Sequence, residues 1–171
     1  MLIDTKPQYF SDLVRIAGLS HGTDVWLGNA QTLLKEGKAT ISTAICTRDD
    51  IMIYLIQKGI ESETAFTIME NVRRGKGLKP EFIEEMNKHD VPQWYVDSCQ
   101  KIKYMFPKAH AAAYVISAFR IAWYKVHMPV YFYASWLTSK ATDVDVDVMI
   151  KGYDAIKAKI IEIQNKGFDA T

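Results

Sequence analysis

Two short stretches of this sequence gather side chains that hold anions. The first is Phe106-Pro107-Lys108-Ala109-His110, which sets an ammonium and an imidazole at the mouth of an alanine run. Pro107 suits the first turn of a helix, where its missing N–H is no loss, and alanine is the strongest helix former. The first turn of a helix presents unpaired N–H groups and partial positive charge, so Lys108 and His110 there make a seat for a phosphate. The second stretch is Arg73-Arg74-Gly75-Lys76-Gly77. Its guanidinium forks and ammonium, set among flexible glycines, make a phosphate clamp. Cations ending a helix also stabilise it by roughly 0.3–1 kcal/mol, so capping and clamping are both open here.

The element that must position the first stretch is a long helix. Nothing breaks it from Pro107 to His127, ahead of Met128-Pro129, and its body is almost wholly apolar. Such a helix is expected to be buried on most sides. His110, Ser117, Arg120, Tyr124 and His127 recur at helical spacing and draw one polar line along it. Tyr114, one turn past His110, offers a flat ring to a base. A core helix with one wet side gives the same pattern, and that plain reading stands beside the ligand-binding one.

Caps and breakers place the other helices. They are predicted over 7–18, stopped by Gly18, and over 25–36, capped by Thr23 or Asp24. Further helices are predicted over 49–58, 61–74, 80–88, 92–105 and 129–138, with Phe66 among the inward residues of 61–74. A long amphipathic helix over 148–164 is closed by Gly167. The connector Ser20-His21-Gly22-Thr23 either presents donors to a phosphate or is a capped turn. Asp143, Asp145 and Asp147 alternate with valine, but a calcium loop starting at Asp143 would need Gly and Glu where the chain has Val148 and Asp154. These acids are read as the approach to a helix N-terminus. The fold class is therefore all-α: one globular domain over 1–171, of about eight or nine helices around a central buried helix at about 107–127. The stretch 140–171 is an amphipathic helix leading out of it.

A chain of 171 residues suffices for one domain with a real core. Hydrophobic residues at 49% and charged residues at 24% suit a soluble globular protein. The net charge of +1 does not mark a nucleic-acid binder, so any basic surface is a local patch. Cys46 and Cys99 lack metal spacing and read as reduced thiols of a cytoplasmic protein. No apolar run reaches the length of a membrane span, and the N-terminus is not a signal peptide.

Four stretches together carry a resemblance. They are the nine residues from Phe106 to Tyr114 with the His127-Met128-Pro129 that ends their helix; the run from Phe10 to Ala30 containing Gly18-Leu19-Ser20-His21-Gly22-Thr23-Asp24-Val25-Trp26; Cys46-Thr47-Arg48-Asp49-Asp50-Ile51-Met52; and Val72-Arg73-Arg74-Gly75-Lys76-Gly77-Leu78. Taken in chain order, from about Phe10 to Gly167, the chain resembles the fingers of bacterial C-family replicative polymerases, the PolC-type DNA polymerase III alpha subunits. The resemblance implies a segment that binds the incoming dNTP and the nascent base pair during template-directed DNA synthesis. Arg73, Arg74, Lys76, Lys108 and His110 would bind phosphate, and Phe106 and Tyr114 would line the base-pair pocket. His110 would be a phosphate ligand or a proton donor to pyrophosphate. Ser20, His21, Arg48, Arg120 and Lys125 are further candidates.

The family's metal-binding aspartates belong to a palm, and no Asp pair here sits in a strand-turn setting that would hold two metals. The expectation is no catalytic residue and no metal in this segment, with Mg2+ in the palm of the parent enzyme, and no polymerase activity alone. The implied partners are a DNA primer-template, a dNTP, the palm and a helix-hairpin-helix module, and no membrane. The reading from another class is a non-catalytic, all-helical DNA-binding or interaction module, which would bind DNA in a salt-dependent way without regard to nucleotide.

Overall fold

The computed structural model describes residues 1–140 and 145–165; Asp143 and Gly167 lie outside the described residues. Among the described residues all regular structure is helical, as the sequence implies. The helices are α1 (Leu2–Thr5), α2 (Phe10–His21), α3 (Gln31–Lys35), α4 (Arg48–Gln57), α5 (Ser62–Arg73), α6 (Pro80–Lys88), α7 (Gln93–Lys101), α8 (Lys108–His127), α9 (Pro129–Ser139), α10 (Val146–Ile150) and α11 (Tyr153–Asn165). The chain divides into two compact units, Met1–Ser117 and the part from Ala118 onward.

The first unit has a closed core. α4 packs on α5, and Ile51, Leu55, Ala65, Ile68 and Val72 are fully buried between them and their neighbours. Met86 of α6 and Tyr95, Val96 and Cys99 of α7 complete the core. Each large aliphatic side chain buried this way stabilises the fold by about 1.5–3 kcal/mol over leaving it in water. Tyr95 stacks on Tyr54, with ring centres 4.3 Å apart. Burial pushes the thiol of Cys46 up to about 12, and that of Cys99 further. Phe66, expected inward, lies on the outer side of α5 and is half exposed.

Three local expectations differ for tertiary reasons. α2 runs through Gly18 to His21; a Cβ at Gly18 would stand 2.5 Å from the Cys46 carbonyl, so this glycine permits close packing and stops nothing. The helix expected over 25–36 breaks into an irregular turn, Trp26–Ala30, before α3. There Gly28 takes φ +67° and buried Asn29 turns inward, its Oδ1 accepting from the Ser98 hydroxyl at 2.6 Å. α7 ends at Lys101 and not at 105. Beyond it the chain extends so that the Thr23 N–H donates to the Tyr104 carbonyl (2.9 Å) and the Lys103 N–H to the Thr23 carbonyl (3.1 Å).

The second unit closes no core among its described residues. None of its described residues is buried. α8, expected as the buried centre, buries only Ala111, while Phe119, Trp123 and Val126 are 54%, 46% and 72% exposed. An apolar pattern demands a cover for the helix but does not say that the same chain supplies it. The single helix expected over 148–164 is two, α10 and α11, parted at Gly152 with φ +89°. Asp145 does cap α10, accepting from the Val148 N–H at 3.1 Å. Among the described residues no helix is long and apolar enough to cross a membrane.

Candidate functional site

The extended segment 103–107 in the first unit, with the start of α8, is a strap held at several points. Thr23 pairs with it after α2. The Met105 N–H donates to the Arg73 carbonyl at the end of α5 (3.2 Å), and the Arg48 N–H at the start of α4 donates to the Phe106 carbonyl (3.2 Å). The Lys108 N–H donates to the Asp49 carboxylate at 2.6 Å. Two glycines allow this approach. A Cβ at Gly75, where φ is +69°, would stand 2.5 Å from the Lys103 carbonyl, and one at Gly22 would stand 2.9 Å from that of Tyr104. Side chains at both places would push the strap away from the helix ends that fix it.

The strap launches a ladder of rings. Tyr104 meets Phe106 edge-on at 5.2 Å. Phe106 stacks on His110 at 4.9 Å and an interplanar angle of 29°, and His110 meets Tyr114 at 4.7 Å. His21 approaches Phe106 from α2 at 5.6 Å. Tyr104 and Tyr114 are 43% and 62% exposed, so the ends of the ladder offer ring surface. The register follows from two periods: residues 104 and 106 share a side of the extended strap, and 106, 110 and 114 share one face at helical spacing.

Three cations near the strap, Arg73, Arg74 and Lys108, have carboxylate partners. Arg73 grips Glu70 with Nε and Nη2, the latter at 2.9 Å, and Arg74 reaches the same carboxylate at 2.8 Å. The Arg73 hydrogen bond holds the Glu70 carboxyl below its usual range, with the Arg73, Arg74 and Arg48 charges adding to it. Lys108 faces Asp50 at 3.8 Å, and Arg15 faces the same oxygen at 3.7 Å. The other Asp50 oxygen is taken by α4's own start, accepting from the N–H groups of Cys46 and Thr47 and from the Thr47 hydroxyl. These pairs are partly exposed; a surface pair is worth about 0–1 kcal/mol, and a polyanion can compete with Asp50 and Glu70 for the cations. At the start of α8 one amide already has an anion on it, the carboxylate of Asp49.

The strap thus joins Phe106, His110, Tyr114 and His21 through ring contacts, and brings Arg48, Arg73 and Lys108 to it through backbone bonds. Ser20 donates to the Ala17 carbonyl at 2.9 Å instead, and Lys76 is exposed. Arg120 and Lys125 belong to the second unit, where Lys125 lies 5.8 Å over the ring of Phe132. Sequence reasoning missed Tyr104, because the strap was read as helix, and missed Glu70. Glu70 was visible: it stands three and four residues before the arginines, the spacing at which helix side chains pair. Among the described residues no group of three His, Cys, Asp or Glu side chains is placed to hold a metal ion.

Comparison with known proteins places the chain in a family. Residues 1–90 match the model of the bacterial DNA polymerase III alpha subunit finger domain. Over its whole length of 171 residues the chain is 63% identical to a PolC-type DNA polymerase III of Halalkalibacterium halodurans. It is 61% identical to that of Oceanobacillus iheyensis and 60% identical to that of Bacillus subtilis, again over 171 residues. It spans 12% of the length of each of these relatives. The strap, its glycines and the cations around it lie in a segment similar to these polymerases from end to end, and the chain belongs to the family of bacterial DNA polymerase III alpha subunit finger domains, PolC type.

Proposed function

We propose that this segment is the nucleotide-gripping part of a replicative DNA polymerase. It binds the triphosphate of an incoming dNTP through Lys108, Arg73, Arg74, Lys76 and His110, and lines the nascent base pair with Phe106 and Tyr114. The observation that carries this reading is the ladder Tyr104–Phe106–His110–Tyr114, which starts from the strap to which Arg73 and Lys108 are also bound. Flat rings suit a base, and cations that hold only partly exposed carboxylates suit a phosphate chain. These cations would neutralise charge as the phosphoryl group moves, which is electrostatic stabilisation and not proton transfer. Mg2+ would supply Lewis-acid chemistry in the parent enzyme; the described residues offer no carboxylate set that fits it, and no step here runs through it.

Primer-template DNA and the rest of the polymerase chain are the partners in this reading, and the setting is cytoplasmic. The exposed aromatic helices of the second unit fit a surface that the remaining chain covers. The test uses the full-length polymerase. Lys108→Ala and Arg73→Ala should raise the KM for nucleotide or lower kcat; unchanged kinetics in both would end the site assignment. The 171-residue chain alone should show no primer extension.

A further inference from the structure

The first unit holds a cavity of about 530 Å³ that none of the ladder rings lines. Its volume lies within the range of small-molecule sites. Arg15, Lys38 and Lys108 bring three cations to its wall; Asp50 is the carboxylate in the lining, and Lys38 is also held by Glu36 at 2.8 Å. Asp50 steers Arg15 and Lys108 from 3.7 and 3.8 Å, well beyond the 2.7–2.9 Å of a charge-assisted hydrogen bond. Its other oxygen is committed to Cys46 and Thr47. The two cations are therefore oriented without having their donors consumed by Asp50. Ser42 and Thr43 add hydroxyls to the lining. On the same wall Trp94 is fixed edge-on to Tyr95 at 5.5 Å, which leaves a braced indole, half buried, beside the cations.

We infer that this cavity is a second nucleotide site: it takes a nucleoside phosphate, with the phosphate on Arg15 and Lys108, Lys38 at its edge, and the base against Trp94. Lys108 is shared with the triphosphate reading above; Arg15, Lys38 and Trp94 are not, so the two readings fail separately.

The test titrates the chain at constant ionic strength with dAMP, inorganic pyrophosphate, deoxyadenosine and a short single-stranded deoxyoligonucleotide, followed by amide and indole NMR shifts. dAMP should shift the Trp94 indole and the Ser42 and Thr43 amides and saturate. Arg15→Gln and Lys38→Gln should each weaken it roughly tenfold, the loss expected for one charged hydrogen bond, and Arg15→Lys should recover part. Lys38 is exposed, so its variant keeps the fold even where Arg15→Gln does not. Pyrophosphate binding equally well with Trp94 unmoved would overturn the nucleotide assignment, as would equal binding of deoxyadenosine or tighter binding of the oligonucleotide. Loss of the dAMP shifts in Arg73→Ala, with Arg15→Gln and Lys38→Gln unaffected, would overturn this site and leave the fingers reading standing. Unchanged polymerase kinetics in Lys108→Ala and Arg73→Ala would do the reverse.

Discussion

The two units are both built from apolar helices, and among the described residues only one of them closes a core. In the first, Leu55 and Ile68 are fully buried, and glycines let the strap come within contact of the helix ends. In the second, Val130 and Tyr131 are 77% and 74% exposed. The second unit does have a groove of about 370 Å³, lined by Tyr124, Tyr131, Phe132 and Trp136 among others, but the groove buries none of them. Hydrophobic composition sets how much surface must be covered; packing geometry sets what covers it. A stretch rich in tryptophan, tyrosine and phenylalanine can therefore be an uncovered face within this chain.

The largest expected effects test this contrast directly. Leu55→Ala or Ile68→Ala should destabilise the chain by about 2–5 kcal/mol, the range for opening a cavity in a closed core. Tyr131→Ser should stay within about 0.5 kcal/mol. Urea unfolding of the isolated chain measures both, and equal losses would erase the distinction between the units.

Gly75→Ala against Gly152→Ala sharpens it. Both glycines have positive φ, at +69° and +89°, but a Cβ at Gly75 meets the Lys103 carbonyl at 2.5 Å while one at Gly152 meets nothing within 4 Å. The first substitution should lose about 1–3 kcal/mol and loosen the strap; the second should lose only the backbone term, about 1 kcal/mol. Asp49→Ala removes a cap from α8 and should lose about 1 kcal/mol by the same measurement.

The smallest effect is a pH dependence confined to the first unit. Glu70 has its carboxyl held below the ordinary 4.5, chiefly by the Arg73 hydrogen bond. A depressed carboxyl contributes stability above the unfolded value, and that stability is lost as pH falls through the folded one. Acid unfolding of wild type should therefore show an extra loss below about pH 4.5 that Arg73→Gln lacks, worth under about 1 kcal/mol because the pair is partly exposed. Superimposable acid limbs would remove the pair from the account.

Much of this was legible beforehand. The start of α6 at Pro80, the end of α5 at Arg73 and the first turn of α4 with its paired acids follow from local capping chemistry. The ring spacing 106, 110, 114 is helical arithmetic. The strap was not legible, because residues 102–105 fit a continuing helix as well as they fit an extended chain. Only the partners at Thr23 and Arg73, distant in sequence, settle it. The role of Gly18 was hidden for the same reason: a glycine that ends a helix and one that admits a neighbour look alike until the Cys46 carbonyl is in place.

The sequence by itself determined that this protein is helical, where most of its helices begin, which cations it has to offer an anion, and the family it belongs to. Those properties depend on residues within a few positions of one another, or on words kept in order along the chain. Tertiary structure alone decided that Arg73 and Lys108 share one strap, that Arg15 and Lys38 join Lys108 at a cavity, and that α8 lies open beyond Ala111. Each of these is a relation between segments tens of residues apart or between a face and its cover. Such relations are fixed by which backbones approach closely enough to bond, and no local pattern records that.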